Sequence, residues 1–190
     1  HLSDRRQRQM CIRDSSSTTL TISSGNKTGS ITFTITDDSI YEGDETISFS
    51  AFDITGDSTY TDANPTIDFT ITENESAPTV TLTSSASSVA ESGSSLTLTA
   101  TLSGATDEEV TVGISTSGTS TEGTDYSTIS DITITAGATT GTASFTPTDD
   151  TVYEISETAI IAIDTVSGGG ATESGTQSQT ITITSEESAP

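Results

Sequence analysis

The chain contains no tryptophan, one cysteine, one methionine, one histidine and only five basic residues against 28 acidic ones. Each shortage excludes something. A single cysteine cannot build a disulfide framework. With so little histidine and cysteine, the usual acid–base and thiol chemistry has no carrier, and without tryptophan no broad aromatic platform is available to hold a sugar between paired carboxylates. The chain is therefore read as non-enzymatic. A formal charge of −23 has the wrong sign for nucleic acid. No run approaches the eighteen or so apolar residues of a membrane helix, so no membrane insertion is expected within these residues.

What the chain does have is a repeat. TDDSIYEGDET at 36–46 returns as TDDTVYEISET at 148–158. Asp37, Asp38, Tyr41, Glu42 and Glu45 are answered by Asp149, Asp150, Tyr153, Glu154 and Glu157, 112 positions later. The same offset carries Gly25 and Gly29 onto Gly137 and Gly141, and the ESAP run at 75–78 onto 187–190. Tandem duplication of one domain is the simplest cause. Residues 16–78 match 128–190, and nothing upstream matches 79–127. The expected organisation is a complete domain over 79–190 preceded by the C-terminal half of another over 16–78.

Residues 1–15 stand apart. The segment from Arg5 to Asp14 resembles the translation of a transposase adapter used in sequencing libraries, and 1–15 is read as non-native material outside the fold. The alternative is a natural basic arm. Those residues hold Cys11, Met10, His1 and four of the five basic side chains. Asp4 and Asp14 are two of the 28 acids, so beyond residue 15 there remain 26 carboxylates against Lys27 alone, a formal charge of −25.

Such a charge with 29% hydrophobic residues suggests disorder at first. Alternation argues otherwise. Leu96, Leu98, Ala100 and Leu102 occupy every second position, as do Val110, Val112 and Ile114, and Ala159, Ile161 and Ile163. Period two with Thr and Ser between is the pattern of strands with one buried face. Strands are predicted over 79–83, 95–102, 109–116, 131–135, 141–146, 158–166 and 179–184, separated by glycine-bearing turns. Seven short strands without any helical period indicate an all-β, immunoglobulin-like antiparallel β-sandwich. Tyr126 and Tyr153 are expected as core anchors, Asp107, Glu108 and Glu109 as a solvated turn, and Asp53 and Asp164 as solvent-facing.

Glu91, Asp125, Asp149, Asp150, Glu154 and Glu157 fall at predicted strand ends or in loops, and a sandwich gathers such ends at one pole. Two carboxylates about 5 Å apart repel by about 3 kcal/mol at an effective dielectric near 20. Hard divalent cations remove that repulsion, and Ca²⁺ accepts six to eight oxygens in loosely defined geometry.

These residues resemble the Calx-beta domain of sodium/calcium exchangers, integrin beta subunits and large bacterial surface proteins. The family's Asp-Asp-Asp-x-x-Glu-x-x-Glu phrase is similar to residues 149–157, with Thr151 in place of the third Asp; Gly123 to Tyr126 and Glu91 to Gly93 match two further motifs. The resemblance implies that Glu91, Asp125, Asp149, Asp150, Glu154 and Glu157 ligate calcium, with the Val152 carbonyl added. The family's closing acidic triplet is represented by Ser185, Glu186 and Glu187, and by Glu73, Asn74 and Glu75 in the earlier copy. Asp37, Asp38, Glu42, Glu45, Glu73 and Glu75 are thereby a weaker second site, because the partial copy lacks counterparts of Glu91 and Asp125.

The expected function is a calcium-binding structural repeat of a larger extracellular or cell-surface protein, in which calcium neutralises the acidic pole and stiffens the junction with neighbouring repeats. The alternatives are a calcium-sensing module of a membrane protein and an adhesion module with a carbohydrate or other surface ligand.

Overall fold

The computed structural model describes residues 20–50 and 66–189. Residues 1–19, including the segment read as non-native, lie outside that range, as does Asp53. The chain divides into two compact units, His1–Ser39 and Ile40–Pro190.

The first unit preserves the duplication in its backbone. Gly25 has φ of 86° and Gly137 has φ of 76°, so both copies make the same left-handed turn. The N–H of Asn26 donates to Ser23 O at 3.0 Å, as that of Ala138 does to Thr135 O at 2.9 Å. At Gly29 a Cβ would meet the Thr21 carbonyl at 2.6 Å, and at Gly141 it would meet that of Thr133 at 2.4 Å. Each of these pairs is separated by the sequence offset.

The second unit opens with a two-stranded antiparallel sheet, β1 (Glu45–Ser50) and β2 (Thr66–Ile71). The residues of 79–190 build two further sheets. One has the order β10-β3-β5-β8, from β3 (Thr79–Ser84), β5 (Leu96–Leu102), β8 (Thr140–Phe145) and β10 (Thr172–Glu173). The other has the order β4-β11-β9-β6-β7, from β4 (Ser88–Ala90), β6 (Val110–Gly118), β7 (Ile132–Ile134), β9 (Glu157–Ser167) and β11 (Ser178–Thr184). The β1–β2 register, Glu45 opposite Ile71, reproduces that of β9–β11, Glu157 opposite Ile183.

The alternating residues turn inward as their period requires. Leu98, Ala100 and Leu102 of β5 and Ala159, Ile161 and Ile163 of β9 are buried, while the residues between them, Thr99 and Thr101 in β5 and Ile160 and Ala162 in β9, are only partly so. Val80, Leu82, Val110, Val112, Ile132, Ile134, Ile181 and Ile183 complete the facing layers. Fully burying a Leu or Ile side chain contributes about 2 kcal/mol, and this core offsets the ordering of a polar chain. Tyr126 is 1% exposed and stacks on Phe145 with centroids 4.8 Å apart. Its hydroxyl bonds the Thr116 side chain, which in turn donates to Glu122 Oε2 at 2.8 Å.

All seven predicted strands are present, with two additions. β4 pairs parallel with β11, and β10 parallel with β3. Three and two residues are too few to show a period. Their pairing makes the sandwich antiparallel only in its main ladders.

Candidate functional site

β4 ends at Ala90, and the turn that follows is fixed by Gly93 N–H donating to Ala90 O at 2.8 Å and Glu91 N–H donating to Thr184 O at 3.1 Å. These bonds bring Glu91 to the end of β11, where Glu186 and Glu187 follow. The three carboxylates each place an oxygen within 4.8 Å of the others. Glu91 is 5% exposed, and its Oε2 has no hydrogen-bond partner among the described residues. Burial pushes its carboxyl above the ordinary value, reinforced by Glu187, Glu154, Glu186 and Asp150. Ser92 meets Glu186 through its N–H at 3.0 Å and through its side chain, and these contacts hold the Glu186 carboxyl below its ordinary value.

A second cluster joins Asp125, Glu154 and Glu157, again with oxygens within 4.8 Å of one another. Asp125 is set by the turn before Tyr126: its N–H donates to Thr121 O at 2.9 Å, its carboxylate accepts from Thr121 N–H, and its carbonyl accepts from Thr148 N–H at 2.9 Å. Glu157 begins β9. Desolvation raises its pKa, with Asp125 and then Glu154 adding to the shift.

The loop between β8 and β9 lies between these clusters electrostatically. Asp149 is raised by desolvation and by Glu186, Glu187 and Asp150, while Glu154 acts on both Glu91 and Glu157. Asp150 Oδ1 accepts the Val152 N–H at 2.7 Å, which folds the loop back on itself. Glu154 N–H donates to Ser185 Oγ at 3.3 Å, and Ser185 Oγ donates to Glu187 Oε2 at 2.7 Å. Ser185 thus clasps the loop and orients Glu187.

The earlier copy is arranged differently. Asp37 and Asp38 are exposed in the first unit, while Glu42, Glu45, Glu73 and Glu75 belong to the second. Glu73 Oε2 accepts the N–H groups of Glu42 and Gly43, both at 2.6 Å, and its Oε1 accepts those of Asn74 and Glu75, both at 2.9 Å. Desolvation pushes the Glu73 carboxyl up, but the N–H groups of Glu75, Glu42 and Gly43 outweigh it and hold the pKa at about 2. Among the described residues, the carboxylates of this copy form no three-membered cluster of the kind seen at Glu91 and Asp125.

Two expectations need correction. Tyr153 is 43% exposed and is no core anchor, unlike Tyr126. Glu108 is more than a solvated turn residue, since its Oε2 accepts the Gly169 N–H at 3.3 Å. Asp164 faces solvent as expected. Glu122, absent from the sequence reading, is held by Thr116 and accepts the Ile129 N–H at 2.9 Å. No helix among the described residues is long and apolar enough to cross a membrane.

The fold is similar to that of the apo Calx CBD1 domain, with 18% identity, a TM-score of 0.50 and coverage of 59% of this chain and 100% of that one. The calcium binding domain CBD12 of CALX1.1 aligns at 20% identity and a TM-score of 0.47, over 53% of this chain and 41% of its own length. No curated protein sequence matches the chain. The Calx-beta domain model matches residues 14–70 and again 73–187, and the chain belongs to the Calx-beta domain family.

Proposed function

We propose that the chain is a non-catalytic, calcium-binding structural repeat of a larger extracellular or cell-surface protein, with calcium and neighbouring repeats as its partners. The observation that supports this most strongly is the buried, unpartnered Oε2 of Glu91 beside Glu186 and Glu187. A buried carboxylate is costly unless something neutralises it, and the chain has no Lys, Arg or His after Lys27. The residues present fit a hard cation: all the clustered donors are carboxylate oxygens, and the loops supply carbonyls, such as that of Val152, for the remainder. Glu91, Glu186, Glu187, Asp149 and Asp150 would hold one ion, and Asp125, Glu154 and Glu157 a second or a shared one. Ions at the pole turn mutual repulsion into cross-linking between β4, β11 and the β8–β9 loop, which stiffens the end that meets a following repeat.

Differential scanning calorimetry of the whole chain, in chelator and in calcium at a hundredfold excess over a dissociation constant of about 10⁻⁴ to 10⁻³ M, tests this. A ligand at a hundredfold excess over its dissociation constant adds about 2.7 kcal/mol, which raises the melting temperature of a domain this size by roughly 10 °C. Equal melting temperatures in calcium and chelator would refute the calcium reading.

A further inference from the structure

The loop bearing the repeated acidic phrase carries apolar side chains outward in one copy and covers them in the other. Val152 is 58% exposed, Tyr153 43% and Ile155 75%. Ile40 and Tyr41, the counterparts of Val152 and Tyr153, are half-buried, while Ile155 answers to Gly43, and what covers Tyr41 is the complete repeat. Tyr41 N–H donates to Ala105 O at 3.0 Å, and Asp107 N–H donates to Tyr41 O at 3.2 Å, so the residue forms a bridge alongside Thr106. Its ring lies against Gly170, where a Cβ would sit 2.6 Å from Tyr41 Cε1. Gly170 has φ of 62°, and Gly169 beside it packs on the buried Thr106. The seat is therefore a backbone groove between two loops, kept open by the absence of side chains.

We propose that Tyr153 is a docking residue for the equivalent groove of a further repeat, formed by that repeat's counterparts of Ala105, Thr106, Asp107 and Gly170. The inference rests on the reading of this chain as one of a series of repeats, and it names the surface through which successive repeats meet. The sequence carries the same geometry forward: Tyr153 stands 112 positions after Tyr41, and the ESAP run at 75–78 that leads from the first copy into the second recurs at 187–190. The groove of residues 105–107 and 170 is already filled by Tyr41 of the same chain, so a second, unaltered copy of the chain offers no vacant seat.

The test extends the full chain by a further copy of residues 79–190 after Pro190 and records proton–proton contacts with labelled tyrosine and glycine, in calcium and in chelator. The proposal expects a Tyr153 ring contact to the added copy's equivalent of Gly170, matching the Tyr41 to Gly170 contact in the same spectrum. It also expects nitration of Tyr153, fast relative to Tyr41 in the unextended chain, to slow several-fold in the extended one. A Tyr153 that stays exposed in the extended chain while Tyr41 remains seated overturns the proposal. So does protection of Tyr153 in the unextended chain that grows with protein concentration, which assigns the loop to self-association. A contact that forms equally in chelator, with no effect of calcium on melting, leaves the docking surface standing and removes the calcium reading alone.

Discussion

Ser185 accepts the Glu154 N–H through its hydroxyl oxygen, at the position where the earlier copy has Glu73 accepting the N–H of Glu42. One repeat closes its acidic loop with a neutral hydroxyl that leaves the nearby carboxylates to face one another. The other closes it with a carboxylate whose oxygens are taken up by backbone N–H groups. Replacing Ser185 by Ala should remove about 1 kcal/mol of hydrogen bonding and free Glu187, lowering calcium affinity several-fold. Ser185→Asp should destabilise the calcium-free protein and widen the gap between melting temperatures in calcium and chelator. Calorimetric melts of both variants check the pair.

Glu91 offers a test in which the sign changes with conditions. In the Glu91→Gln variant the buried charge is lost while shape is kept, so the calcium-free protein should melt several degrees higher than the parent. The increment from calcium should shrink, since a charged ligand has gone. Melting in chelator that falls on this substitution would contradict the account of Glu91 as an uncompensated buried carboxylate.

The pH dependence of the calcium-free protein follows from opposed shifts. Glu91, Asp149 and Glu157 have raised pKa values, so their contribution is fully present below the ordinary carboxyl range and is lost as pH rises through the folded values. Glu73 is depressed from 4.5 to about 2, so its contribution is present above 4.5 and lost as pH falls toward 2. Stability in chelator should peak near pH 4.5 and decline toward neutrality. Calcium should abolish the decline, as thermal melts across pH in the two conditions would show.

Hydrogen exchange should separate the two copies. Ile67 and Phe69 of β2 are 53% and 54% exposed, whereas Ile181, the counterpart of Phe69, is fully buried. Phe49 and Phe69 pack edge to face at 5.8 Å, but a two-stranded sheet is marginal without a covering layer. Amides of β1 and β2 should exchange at least about a hundredfold faster than those of β9 and β11, which open only with the whole sandwich. Equal protection would show that the β1–β2 sheet has a core of its own.

The sandwich was legible because Thr alternates with Leu and Ala over the whole of β5, and because apolar residues recur at every second position in the other strands long enough to show period two. β4 and β10 were invisible, being two or three residues whose pairing depends on where β11 and β3 lie. Among the site residues, Asp125, Glu154 and Glu157 stand together as their motifs suggest, and Glu91 reaches Glu186 and Glu187 through the Thr184 carbonyl. The bonds of Ser185 to the Glu154 N–H and to Glu187 were not legible, because they depend on where the β8–β9 loop lies. Tyr153 was misjudged because, like Tyr126, it lies near a predicted strand end, where a Tyr ring is commonly buried; only the fold shows that one ring enters the core beside Phe145 and the other is exposed.

Whether the two carboxylate clusters hold calcium can be read from titration calorimetry of the whole chain against calcium, beside a Glu91→Gln, Asp125→Asn double variant. Saturable binding to the parent chain is expected, with a dissociation constant of about 10⁻⁴ to 10⁻³ M, and at least roughly tenfold weaker binding to the double variant. Absence of saturable binding in the folded parent, or the same isotherm from both proteins, would contradict it.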